Sequence, residues 1–445
     1  MSWTQRVPTH RRRVRSRLAL VSSVLIVGAV LIAGCSSSST PTASSSTEFT
    51  VPGGSVVADN APTNPFYQAP DPLPAGKPGD IIRTQPMSGA PAGAQAYQVL
   101  YHSTSMTGGD IAVSGVFIVP TAAAPSGGRP IVSWAHPTTG VADPCAPSLS
   151  GLVFAILPGL AQFIQAGYVV AATDYEGLGT AGVHPYLVGE SEGRGVLDAA
   201  RAAVNFQPAA ADKTTLLWGW SQGGQASLFA GQLAPTYAPD LDVKGVAAAA
   251  PAGELGAALQ LSENTAEGVS LGGYAITAYS NVYASTTPGL DVNAVVTPTG
   301  QQILPSLVSL CNLTQITQVA QLVTPVVGKF YAGDPTTVQP WAGLLQQNTP
   351  GAVQTPAPIF IAQGTADTTV PPPTTEQLAA ALCAKDDNLQ LKLYDGVSHG
   401  DIGFASAPDV VTWMAQRLAG TPAQSNCSAL PALPATGTTG SSVAP

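Results

Sequence analysis

Gly219-Trp220-Ser221-Gln222-Gly223-Gly224 is the stretch on which the fold turns. It reads G-x-S-x-G with an added glycine, follows the apolar run Thr214 to Trp218, and opens a helix-like stretch from Gln222 to Leu233. The pattern alone is common in a chain with 46 glycines, and the competing reading is an ordinary Gly-rich turn. The strand before it and the helix after it give it a mechanism. In a nucleophile elbow the serine occupies a sharp, strained turn, and a Cβ on either flanking glycine would strike neighbouring backbone. The hydroxyl of Ser221 is pushed into the open. The amide of the next residue, Gln222, faces the place where an oxyanion forms, and the helix adds the positive end of its dipole.

Outward from the elbow, short apolar runs alternate with helical ones. Ala96 to Tyr101, Asp110 to Pro120, Pro130 to Trp134, Gly167 to Thr173, Thr214 to Gly219 and Val243 to Ala250 read as strands; Leu152 to Ala166 and Gly193 to Phe206 read as helices. This alternation makes an α/β protein, with a mostly parallel sheet covered by helices on both faces. It stops at about Leu255. From there to Pro350 the chain is rich in Leu, Val, Ala and Gln, with Glu263, Glu267, Asp291, Lys329 and Asp334 its charged residues, and is expected to form a helical insertion over the active face. The alternation resumes with the strands Ala357 to Gln363 and Leu389 to Tyr394, a helix near Thr374 to Cys383, and a last helix expected to start at Pro408 and stop at Gly420.

A serine hydroxyl is a poor nucleophile at neutral pH, so the elbow requires a base and a group that orients the base. In this architecture they follow the serine in the order acid, histidine, each on a loop after a later strand. Asp367 follows the strand ending at Gln363, and His399 follows the strand ending at Tyr394. His10 falls in the leader, and His102, His136 and His184 all precede Ser221, which leaves His399 as base. Asp395 and Asp401 flank it but sit on its own loop, poorly placed to reach its Nδ1. A second oxyanion donor is expected either in Ala135-His136-Pro137-Thr138-Thr139-Gly140, where Pro137 has no N–H to give, or at Asp174 after the next strand.

The first 34 residues hold six arginines, from Arg6 to Arg17, then an apolar region from Leu18 to Ala33, shorter than the ~20 residues a spanning helix needs. Removing them takes the formal charge of −9 to −15, which argues against a nucleic-acid partner. Ile32-Ala33-Gly34-Cys35 resembles the bacterial lipobox, which implies a lipid on Cys35; an ordinary secretory signal is the alternative, and Sec and twin-arginine export both stay open. Cys145, Cys311, Cys383 and Cys427 then form an even set in an exported chain, which implies disulfides with three possible connectivities. Cys145 with Cys311 and Cys383 with Cys427 is the expected pairing. The expected organisation is a signal peptide at 1–34, a Ser/Thr/Pro-rich tether at 35–77, a core in two parts at 78–254 and 353–427 around a cap at 255–352, and a disordered tail at 428–445. No metal or organic cofactor is implied: H-E-x-x-H, a strand followed by G-x-G-x-x-G, and a cysteine cluster are all missing.

Taken together and in order, Trp134-Ala135-His136, Asp174-Tyr175-Glu176-Gly177, Gly219 to Gly224, Gly364 to Pro371 and Ser398-His399 resemble the secretory lipases of the α/β-hydrolase fold, the fungal lipase A type with its actinobacterial relatives. The resemblance runs from about Pro78 to Gly420. It implies an oxyanion hole at Asp174 and Gln222, a helical cap with an acyl tunnel, and a lipid ester as substrate. Trp220 before the serine and the lipobox depart from the family. The expected activity is ester hydrolysis by an envelope lipoprotein held at the outer face of the cell membrane through Cys35. An acyltransferase on the same three residues, a serine exopeptidase needing a cap carboxylate for a free amino terminus, and a lipid-binding protein on a dead scaffold are the competing readings.

Overall fold

The expected strands assemble into one nine-stranded sheet in the computed structural model, which describes residues 64–430 and the short segments 48–50 and 56–58. The signal segment, Cys35 and the tail beyond 430 lie outside the described residues. Strands β1 (Glu48–Thr50) and β2 (Val56–Ala58) pair with each other. The main sheet holds β3 (Ile81–Met87), β4 (Ala94–Thr104), β5 (Asp110–Pro120), β6 (Arg129–Ala135), β7 (Val169–Thr173), β8 (Ala211–Trp220), β9 (Asp242–Ala249), β10 (Ile359–Gly364) and β11 (Leu389–Tyr394). Their spatial order is β11-β10-β9-β8-β6-β7-β5-β4-β3. Every neighbouring pair from β7 to β11 is parallel, and β3, β4, β5 and β7 are joined by antiparallel pairing.

Both faces of the central strands are apolar because both are covered. In β6, Ile131 and Ala135 enter the core beneath α3 (Gly189–Asn205), α4 (Gln222–Tyr237) and α10 (Pro372–Cys383). Val132 and Trp134 enter the opposite core, beneath α1 (Leu152–Ile156), α2 (Leu160–Gln165) and α11 (His399–Leu418). The helix expected over Leu152 to Ala166 is two helices, because Leu157 before Pro158 is driven into an extended conformation. The Pro158 carbonyl freed at this break accepts the Trp218 indole N–H at 3.1 Å. The last helix begins nine residues before its expected start, and Pro408 sits inside it. Its end is as expected: Gly420 takes φ +70° while its N–H and that of Thr421 return to the carbonyls of Arg417 and Gln416.

Leu255 to Gln347 forms five helices: α5 (Leu255–Ser262), α6 (Ala266–Tyr283), α7 (Pro298–Val308), α8 (Ile316–Val323) and α9 (Trp341–Gln347). They bury a core of their own, with Tyr274, Leu304, Leu307, Val323, Phe330 and Trp341 at its centre. Cys145–Cys311 ties this layer to the body of the protein, and Cys383–Cys427 ties α10 to the segment after α11, the pairing expected from the sequence. The segment expected as tether is ordered at its end: Phe66 and Tyr67 are buried, and the Tyr67 hydroxyl bonds to Ser148 at 2.8 Å. Among the described residues no helix is long and apolar enough to cross a membrane.

Candidate active site

The turn between β8 and α4 has the geometry its sequence predicts. Ser221 takes φ 59° and ψ −118°, a strained region for a residue with a side chain, and its N–H bonds to the Ala249 carbonyl at 2.9 Å. A Cβ on Gly219 would strike the Gly223 carbonyl, and one on Gly223 the Ala135 carbonyl. Backbone from three parts of the chain is therefore packed around the serine, and only glycine lets it close. Gln222 is the first residue of α4, so its N–H belongs to the unsatisfied first turn beside the serine.

His399 and Asp367 reach this point from the ends of β11 and β10. The histidine Nε2 lies 2.9 Å from the Ser221 Oγ, and its Nδ1 lies 2.8 Å from the Asp367 Oδ2. The carboxylate is itself held. Its Oδ1 accepts from the Thr369 and Val370 N–H groups at 2.9 and 2.8 Å, and its Oδ2 from the Gln363 amide at 3.2 Å. The two loops are joined by hydrogen bonds from Ala366 N–H to the Val397 carbonyl and from Gly396 N–H to the Thr365 hydroxyl. His399 is the first residue of α11 rather than a loop residue. Trp220, the departure from the family pattern, donates its indole N–H to the His399 carbonyl at 3.1 Å and so fixes the histidine from the serine's own strand. Asp395 and Asp401 accept from Thr365 and Ser398, respectively, and do not compete for the ring.

Asp174 is a correction. Its N–H donates to the Ser114 carbonyl at 2.9 Å, and its carboxyl accepts from Ser114 Oγ at 2.7 Å, from Ser148 N–H at 3.0 Å and from Ser148 Oγ. Burial pushes its carboxyl up to about 6, against those hydrogen bonds. Each of its hydrogen-bonding groups is thus engaged in pinning the D-Y-E-G loop to β5 and to Ser148, which leaves no donor for an oxyanion. The loop after β6 is the one that lies against the elbow, with the Ala135 and His136 carbonyls facing Gly223. Thr138 in that loop bonds through its hydroxyl to Tyr186 at 2.8 Å. His136 is fully buried, and desolvation lowers it to about 4 although two backbone carbonyls favour its charged form. His102 pairs with Asp110 at 2.8 Å.

A narrow apolar cavity opens on Ser221 and runs under the helices of Leu255 to Gln347. Leu187, Leu255, Leu271, Ile276, Trp341 and Leu345 are among its walls, and Thr369 and Val370 of the aspartate loop stand at its rim. There the Thr369 hydroxyl donates to Glu267 of α6 at 2.8 Å, joining the cap to the loop that holds the acid. Among the described residues, no group of three or more His, Cys, Asp or Glu is placed to hold a metal ion.

The fold and this arrangement define a class, and comparison with known proteins supplies the family. Residues 154–426 match the secretory lipase family model. Among curated relatives, lipase A of Moesziomyces aphidis is 27% identical over 364 residues, 76% of this chain and 75% of that one. A protein of Mycobacterium tuberculosis described as a probable inactive lipase is 27% identical over 391 residues, 81% of this chain and 82% of that one. Among solved structures, lipase A of Candida antarctica in its closed state superposes with a TM-score of 0.68 at 21% identity, covering 84% of this chain and 90% of that one. The rice cell wall degrading esterase LipA of Xanthomonas oryzae gives 0.64 at 20% identity, covering 78% and 100%. The chain belongs to the secretory lipase family, has the α/β-hydrolase fold and is a carboxylic ester hydrolase.

Proposed function

We propose that the chain cleaves esters of apolar acyl chains, acylglycerols among them, through an acyl-enzyme on Ser221. The observation that carries this reading is the opening of an apolar cavity on a serine that lies in line with His399 and Asp367. Asp367 accepts from Nδ1–H of His399, which leaves a lone pair on Nε2 facing the Ser221 hydroxyl. In the forward half-reaction the Ser221 Oγ attacks the ester carbonyl as its proton passes to Nε2. The oxyanion forms at the Gln222 N–H, with the second donor from the segment after Pro137. Collapse expels the alcohol, which takes the proton from Nε2, and water repeats the sequence on the acyl-enzyme. The lining favours a hydrocarbon chain over the charged amino terminus an exopeptidase must hold, because an unpaired charge there would be desolvated without a partner. A relative described as inactive does not remove the case for activity in this chain, which has all three residues within hydrogen-bond reach of one another.

Hydrolysis of p-nitrophenyl esters from acetate to palmitate tests this reading. The chain is expected to turn over the series, and Ala275→Phe, which places a ring in the cavity wall, to lower kcat/KM for palmitate by roughly tenfold or more while sparing acetate. Inertness toward every ester would overturn it. Attachment through a lipid on Cys35 is part of the same proposal. Cys35→Ser, expressed in the native cell, is expected to move the protein from the membrane fraction to the medium; unchanged fractionation would refute the anchor.

A further inference from the structure

Against the side chain of Gln222, the residue after the nucleophile, lies a second set of titratable groups that the chemistry above does not use. His184 and Glu192 have no solvent exposure, and both meet the side chain of Gln222. The hydrogen positions follow from one fixed point. The Nδ1 of His184 lies 2.9 Å from the Glu176 carbonyl, which can only accept, so Nδ1 carries the proton of the neutral ring. Nε2 is then an acceptor, and the Gln222 Nε2 at 3.0 Å must be its donor. The same amide nitrogen donates its other hydrogen to Glu192 Oε1 at 2.8 Å. Glu192 Oε1 also accepts the Leu187 N–H at 2.8 Å, while Glu192 Oε2 is buried with no partner. An unpartnered, desolvated carboxylate oxygen is costly as an anion and far less so as a hydroxyl.

We propose that Glu192 is a positioning residue for ester cleavage. Held in its protonated form, it and His184 pin Gln222, the oxyanion-donating residue, and its ionisation shuts the site down on the alkaline side. This rests on the ester-cleaving reading above. The surroundings carry it. Arg194, two residues along α3 and so on a different face of the helix, is turned to Glu190 and to the Ser105 carbonyl, so no cation reaches the carboxyl. The other titratable groups around it are Glu176, bonded by Ser191, and Tyr175, Tyr186 and Tyr279, the last from the cap. His136 borders His184 from the loop after β6. None of these supplies positive charge: burial lowers His184 to about 3 and His136 to about 4, and raises Glu176 and all three tyrosines. The 3.9 Å approach of His184 to Glu192 is therefore no ion pair.

Burial raises Glu192 to about 8, against the hydrogen bonds from Gln222 and Leu187. The sign follows: below that value the carboxyl is neutral and the pinned geometry holds; above it a buried negative charge appears one side chain away from the N–H that must stabilise a second one. Like charges in a desolvated site repel strongly. The transition state suffers more than bound substrate, so the loss falls on kcat and little on KM.

The pH profile on a short soluble ester, read beside the isosteric Glu192→Gln, is the test. The wild type is expected to lose roughly 30-fold in kcat/KM at pH 9.5, about one and a half units past the midpoint. Glu192→Gln, scaled to its own rate at pH 7, is expected to stay flat across that range. An alkaline limb of the same midpoint in Glu192→Gln, or none in an active wild type, would overturn the proposal. Infrared titration of the wild type supplies a readout independent of turnover and of the variant's folding. A carboxylic-acid C=O band is expected to disappear between pH 7 and 9.5, and its absence throughout would refute a protonated Glu192. A wild type that cleaves no ester yet shows the titrating band would sink the ester reading and the kinetic half of this proposal together, with the proton on Glu192 intact.

Discussion

Ser221→Ala is expected to lower kcat for ester hydrolysis by on the order of 10⁶-fold, with the fold and substrate binding retained. Removing one oxygen leaves the turn intact, since its strain is set by backbone packed against Gly219 and Gly223 and not by the hydroxyl. The Ser221 N–H to Ala249 bond and the Ala252 N–H to Ser221 carbonyl bond use main-chain atoms that alanine keeps. What is lost is the covalent route. Water entering in place of Oγ would still meet His399 as base and the Gln222 N–H as oxyanion donor, so a residual rate well above that of buffer is expected. Single-turnover kinetics with thermal unfolding separates the cases. A variant that unfolds at the wild-type temperature and retains more than about a hundredth of the wild-type rate would show that another nucleophile does the chemistry.

The meeting of Ser221, Asp367 and His399 is legible in the sequence because each follows a strand, and strands of this sheet are short apolar runs bounded by turns. Order alone points to His399, since the other histidines precede the serine; Asp367 needs in addition its place directly after a strand and off the histidine's own loop, where Asp395 and Asp401 lie. The misjudged elements failed for local reasons. Pro408 reads as a helix start, yet α11 begins at His399 and carries the proline inside. Leu152 to Ala166 reads as one helix by its apolar content, and one proline divides it. Asp174 is expected in the oxyanion hole because it matches the aspartate of the resembled family's D-x-E-G loop; its bonds to Ser114 and Ser148 show it holding that loop instead. The place of His184 before the serine excludes it as the base and says nothing about which side chains meet Gln222. The sequence did carry a signal for Glu192. It lies among Gly189, Ser191, Gly193 and Gly195, small residues fit for close packing, although Glu190 and Arg194 share the stretch and only the packed face of the helix singles out Glu192.

Asp367→Asn is expected to lower kcat by about 10⁴-fold with little change in stability. The loop dictates how the new amide sits. The Thr369 and Val370 N–H groups, which now feed Oδ1, accept nothing and must face the asparagine oxygen. The NH₂ group is thereby turned toward His399 Nδ1, where it donates instead of accepting. The ring must then carry its proton on Nε2, which presents an N–H to the Ser221 hydroxyl in place of a lone pair. The base is lost although each heavy atom stays in position. The NH₂ also meets the Gln363 amide, which loses this 3.2 Å contact and keeps the Gly364 and Val370 carbonyls as acceptors. Two measurements decide it. In the wild type a strongly downfield Nδ1 proton resonance is expected in the His399–Asp367 bond, and it should vanish in Asp367→Asn as kcat falls. If the resonance vanishes while kcat falls less than tenfold, the carboxylate merely orients a ring that finds its tautomer without it, and the acid of this site must be sought elsewhere.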